Sequence, residues 1–177
     1  MLTPLPVQTT YFRYLNVGQV GMPASETGWD ISTRICEDLS LTTGIGFGLV
    51  VSQGTKHGDR SAIIGIASGG TVLGITASDH TLPTFVGGAG VDKYNDGDNM
   101  AVMFRGDIWV SAVGTVAAGG PVYFNSVTGQ LGPSGIANAT ALPGAQFLTS
   151  EPLATTNVMY SPTGTLAVVR LMPLGNI

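Results

Sequence analysis

From Asp30 onward the chain is a succession of short β-type runs cut by glycine-rich turns, with no long helical periodicity anywhere. Ile31, Thr33 and Ile35 alternate with Ser32, Arg34 and Cys36, the period-2 pattern of a half-buried strand. Phe47, Leu49, Val50 and Val51 make a second run. Residues 61–67 and 71–77 make two more, split by Ser68-Gly69-Gly70, a hairpin-turn signal. Met100, Val102 and Phe104 alternate up to Arg105-Gly106-Asp107, and Ile108-Trp109-Val110 leads away, which predicts a hairpin with Gly106 at its tip. Residues 121–125 and Gln130-Leu131 flank another tight turn, Ser126-Val127-Thr128-Gly129. Residues 132–145 read as a loop, and residues 146–149 and 165–171 as the last strands. At most a short helix fits over residues 113–118. The composition agrees: 26 glycines and 20 threonines, but only 10% charged residues, where about 25% is usual. Such a chain is short of surface-helix formers. At 177 residues and 44% apolar, it can bury roughly 70% of its unfolded surface. The expected fold is all-β, a compact barrel or sandwich of about eight or more short strands, with an extended N-terminal arm.

Residues 1–29 differ from the rest. Pro4, Pro6 and Pro23, with Gly18, Gly21 and Gly28, forbid a regular helix and interrupt ladder pairing. Leu2, Leu5, Val7, Tyr11, Phe12 and Tyr14 make the segment too apolar for a solvated tail. Two readings stand open: an arm that docks on a partner, or a strand and loops covering the protein's own barrel. The expected division is an arm over residues 1–29 and a β-barrel domain over residues 30–177.

Charge and cysteine counts exclude several functions. Seven basic against eleven acidic residues make no extended phosphate-binding face, so no nucleic-acid partner is expected. Cys36 stands alone, which rules out an intrachain disulfide and a multi-cysteine zinc site. No apolar run reaches about 18 residues, the length of a membrane-spanning helix, and no membrane partner is expected. Met1-Leu2-Thr3-Pro4 opens no secretory signal, so synthesis is expected in a reducing cytoplasm.

No residue pattern carries catalysis, a cofactor or a metal. Asp79 and His80 are adjacent, and strand neighbours point to opposite faces. His57 sits in a polar hairpin tip, residues 54–59. Asp92, Asp96 and Asp98 cluster around Gly97, but a calcium loop from Asp92 needs oxygen ligands where Tyr94 and Met103 stand. Gly87–Gly90 lacks the context of a phosphate loop. Asn138-Ala139-Thr140 is a glycosylation sequon without a secretory route. Arg105-Gly106-Asp107 spells an adhesion tripeptide, three residues long and read by default as a turn. Cys36 reads as a buried or half-buried small apolar residue. Trp109 falls on the face opposite Ile108 and Val110, and one of those faces must meet a second sheet or another subunit.

Three segments in order, Val102–Val110, Ala117-Ala118-Gly119-Gly120-Pro121-Val122-Tyr123-Phe124 and Thr128-Gly129-Gln130-Leu131, resemble the core of the structural cement, or head-decoration, proteins of tailed bacteriophages. The resemblance covers about thirty residues closely, at the scale of a few hairpins, and the proline-rich arm departs from it. It implies a non-enzymatic β-barrel on the outer capsid surface of the virion, made in the host cytoplasm. The implied partners are the major capsid protein and further copies of the chain, as a homo-oligomer for which the resemblance favours a trimer. No catalytic residue, cofactor or metal is implied. The candidate capsid or subunit contacts are Leu5, Val7, Tyr11, Phe12 and Tyr14 of the arm and Trp109 of the barrel. A capsid protein meets neighbours over much of its surface and can exchange Lys and Glu for apolar, Thr and Ser side chains there. The alternative is a virion-associated carbohydrate-binding β-domain using Trp29, Trp109 and loop carboxylates.

Overall fold

The computed structural model describes residues 18–25, 28–37, 44–66, 70–78, 93–152 and 165–172. Among these the elements in chain order are β1 (Asp30–Cys36), β2 (Ile45–Gly46), β3 (Val50–Gln53), a 3₁₀ turn (Gly58–Arg60), β4 (Ser61–Ile64) and β5 (Val72–Thr76). They continue with β6 (Lys93–Tyr94), β7 (Asn99–Ala112), β8 (Pro121–Asn125), β9 (Leu131–Gly132), β10 (Ala139–Pro152) and β11 (Thr165–Leu171). The all-β expectation holds, and residues 113–118 form no helix.

Nine strands form one sheet that closes on itself twice. The first ring runs β1-β4-β3-β5-β7 and returns to β1. The second runs β7-β11-β10-β8-β9 and returns to β7. The small pair β2–β6 stands apart. Strand β7 therefore belongs to both rings. Its residues from Asn99 to Arg105 pair with β1, and those from Gly106 to Ala112 with β11. Closure matters in a chain with two lysines, because open sheet edges are commonly guarded by charged residues, which this sequence supplies sparingly.

Each ring fills its own interior. Ile108, Val110 and Ala112 alternate on β7 and meet Val122, Phe124, Leu131, Phe147, Ala167 and Val169, so every strand of the second ring contributes. Val50, Ile75 and Met103 of the first ring join that same cluster, which fuses the two rings. The first ring's other cluster holds Cys36, Val51, Ala62, Met100 and Val102, with Ile45 of β2 and Tyr94 of β6. Tyr94 is fully buried and its hydroxyl donates to the Ala77 carbonyl at 2.7 Å.

Three local expectations are corrected. Arg105-Gly106-Asp107 is not a hairpin tip but the middle of the 14-residue strand β7. Its polar residues are accommodated mid-strand because each faces an oppositely charged residue across the ladder: Asp30 opposite Arg105, and Arg170 opposite Asp107. The runs on either side of Ser68-Gly69-Gly70 do not pair with each other, since β4 and β5 flank β3 on opposite edges. Residues 139–145, expected in a loop, begin the 14-residue strand β10. Their small side chains look loop-like, and irregular register between Ala141 and Gln146 accommodates Pro143 and Gly144. The turn over residues 126–129 is a hairpin as expected, with β8 against β9. Asn125 Oδ1 accepts from the backbone N–H groups of Val127 at 2.8 Å and Thr128 at 3.0 Å.

Residues 18–25 lie on the chain's own sheet. Gly21 N–H donates to the Trp109 carbonyl at 2.7 Å, Trp109 N–H to Met22 at 2.9 Å, and Ala24 N–H to Asp107 at 2.7 Å. This short segment thus hydrogen-bonds to β7 along residues that β5 and β9 leave unpaired.

Candidate contact surfaces

Several titratable groups of the described residues hold loops. His57 lies in the β3–β4 hairpin tip, as expected. Beneath that tip sits Glu37, 5% exposed, which the sequence reading did not single out. Its Oε2 accepts from the N–H groups of Thr55 at 2.8 Å and Lys56 at 2.9 Å, and from the Ser61 hydroxyl. Burial alone would raise its pKa. The hydrogen bonds from Ser61, Lys56 and Thr55, with the charge of His57, outweigh burial and hold the carboxyl below its ordinary value of 4.5. Nothing in Cys36-Glu37-Asp38 marks Glu37 as buried, because its partners lie on a hairpin 18 to 24 residues away.

The acidic loop is similarly occupied. Asp96 pairs with Lys56, and Asp98 accepts from the Asn95 N–H at 2.7 Å. Among the described residues no group of three or more His, Cys, Asp or Glu could hold a metal ion. Asp79, His80 and Asp92 lie outside the described residues, as do the arm candidates Leu5, Val7, Tyr11, Phe12 and Tyr14. Cys36 is buried, with its thiol 3.5 Å from the Tyr94 carbonyl.

Trp109 does point away from the second ring's interior. It packs with Leu166 and Val168 and is covered by Val20, Met22 and Ala24, leaving it 8% exposed. At Gly18 a Cβ would run into the Trp109 ring. The cover of this face is therefore the chain's own segment, at least over residues 18–24.

Among the described residues two surfaces stand open. In the middle of β7, Arg105 Nη1 lies 3.5 Å from Asp30, while Arg170 makes a bidentate pair with Asp107 at 2.8 and 3.0 Å. That pairing raises the Arg170 pKa. The arginines and Asp107 border a shallow cleft of about 260 Å³ that Met172 also lines. Gly106 is required there: its φ is +117°, and a Cβ would lie 2.5 Å from Cβ of Trp29. Trp29 and Met172 are 42% and 47% exposed.

The second surface is distinguished by what it lacks. Residues 108–150 contain no Asp, Glu, Lys or Arg, yet they build most of the second ring. Its outward side chains are small or neutral, with Val113, Thr115, Ala118, Val127, Ala137 and Asn138 exposed.

The comparisons agree with this architecture. The family described as "Structural cement protein (E217 gp24/Pam3 gp6)" has a model that matches residues 7–172. Solved structures similar in fold include a chain from "The capsid of Myoviridae Phage XM1", with a TM-score of 0.61 and 15% identity. The match covers 94% of this chain and 98% of that one. No curated protein matches the chain.

Proposed function

The chain belongs to the phage structural cement protein family, and from that membership we propose that it binds the outer surface of the major capsid protein shell and clamps neighbouring capsomers. It is a capsid-stabilising structural protein of the virion. The observation that carries the finer reading is the uncharged stretch 108–150, which builds most of the second ring. Lys, Glu and Asp are depleted where proteins meet proteins, whereas a surface that always faces water carries charge for solubility. Repetition on a symmetric lattice lets modest contacts add. In this reading the protein has no catalytic role, and Glu37 and Asp98 serve to hold loops through backbone N–H groups.

Two further parts complete the proposal. Copies of the chain associate into a closed homo-oligomer, a trimer by family resemblance, through weakly charged β surface. Leu5, Val7, Tyr11, Phe12 and Tyr14 supply apolar anchors next to the segment that fastens residues 18–25 to β7. The test is titration onto undecorated shells, with occupancy read by electron microscopy and shell survival read on heating. Saturable occupancy at lattice-related positions with raised shell stability is expected. A protein that leaves shells bare, or that instead binds members of a glycan array, removes the reading.

A further inference from the structure

We propose that the cleft beside Gly106, in the middle of β7, receives an acidic side chain of the capsid shell, flanked there by apolar residues. This rests on the shell-binding reading above and says where the polar part of that contact is made. Four observations converge on it.

The first is placement. Cross-strand pairs stand on each side of Gly106, one on each ring: Asp30 with Arg105, and Asp107 with Arg170. Residues 105 and 107 share a face of β7, and both guanidinium groups line one cleft. The second is unequal engagement. A guanidinium has five N–H donors. Arg105 uses one contact, at the long distance of 3.5 Å, and Arg170 uses two, both on Asp107. The third is unequal exposure. Arg105 and Asp30 are about equally exposed, at 53% and 49%, whereas Arg170 is 49% exposed and Asp107 only 14%. Asp107 therefore sits behind Arg170 and orients it, and the unspent donors face outward. The fourth is the apolar surroundings. Met172 lines the cleft and Trp29 lies against its Gly106; both are large apolar side chains left exposed among the described residues, and Trp, Met and Arg are the residue types that anchor interfaces.

The occupant follows from this chemistry. Planar donors in a fork match a carboxylate. The cleft is shallow and open, whereas a small-molecule site buries most of its ligand, so the carboxylate belongs to a macromolecular surface. Two arginines, each beside its own carboxylate, are too few for a nucleic-acid phosphate track.

The experiment compares four proteins on undecorated shells: wild type, Arg105→Gln, Arg170→Gln and Met172→Glu. The last puts a carboxylate into the cleft from within. Each is measured for melting temperature, sedimentation and shell affinity, at low and at raised salt. The expected result is an unchanged melt and oligomeric state for Arg105→Gln and Met172→Glu. Their shell affinity falls about tenfold or more, on the scale of one lost interfacial anchor. Wild-type affinity falls with salt, and the Arg105→Gln affinity falls less steeply. Should Arg170→Gln fail to fold after losing the partner of Asp107, the other two variants still decide. Wild-type affinity in both cleft variants overturns the inference while leaving shell binding intact. So does a changed oligomeric state with shell affinity retained, which makes the cleft a contact between copies. A wild type that does not bind shells at all overturns both readings.

Discussion

Two side chains set the local energetics most clearly. Glu37 holds the β3–β4 tip through two backbone donors and the Ser61 hydroxyl. Removing it by Glu37→Ala leaves buried donors unmatched, at about 1–3 kcal/mol. Because its folded pKa is lowered, the unfolded chain binds more protons as the medium turns acidic. Its contribution is complete above the ordinary value of 4.5 and is lost as pH falls from there through the folded value. Thermal melts over that acid range should show wild-type stability dropping, and Glu37→Gln, less stable at neutral pH, should lose that part of the dependence. Gly106 is the second. Gly106→Ala combines a left-handed φ with a collision against Trp29, and the expected cost is about 1–3 kcal/mol, read as a lower melting temperature with altered tryptophan emission. Neither residue announces its role in sequence. The partners of Glu37 come from a distant hairpin, and Gly106 looks like any hairpin glycine until Trp29 is placed over it.

Among the elements, strand content was legible and strand pairing was not. The period-2 runs at Ile31–Ile35 and Met100–Phe104 identify β1 and β7 correctly, because alternation is a local property. Which strand lies beside which is decided by closure of the rings, and the Ser68-Gly69-Gly70 signal cannot tell a hairpin from a crossing over β3. The arm shows the same limit. Its apolar character is plain, but that residues 18–24 cover Trp109 depends on where β5 and β9 leave β7 unpaired. Truncations should separate its two parts. Deleting residues 2–17 keeps the cover of Trp109, so the melt should stay within about 2–4 °C while shell occupancy falls. Deleting residues 2–24 also strips Val20 and Met22 from the ring, and should cost about 2–4 kcal/mol in chemical denaturation. Full occupancy after the shorter deletion would assign the contact to the barrel alone.

At the scale of the whole molecule, the two rings cannot unfold independently while β7 serves both and Val50, Ile75 and Met103 extend the second ring's core. One calorimetric transition is expected, with van't Hoff and calorimetric enthalpies equal; two resolved transitions would contradict the fused core. The distribution of charge is as telling as the topology, since 16 of the 18 charged residues precede Ile108 and residues 108–150 hold none. The low overall charge was readable from composition, but that the neutral stretch builds most of one ring emerges only from the pairing of β7 through β10. The unbroken run of β7 has a mechanical consequence. A load applied to one ring and resisted at the other travels along a single extended backbone, clamped by neighbouring strands on both sides, with no hinge in between. Pulled lengthwise, such a strand yields only when many cross-strand bonds shear together. A particle that swells under the pressure of its contents would thus be tied by something closer to a stiff rod than to two beads on a string.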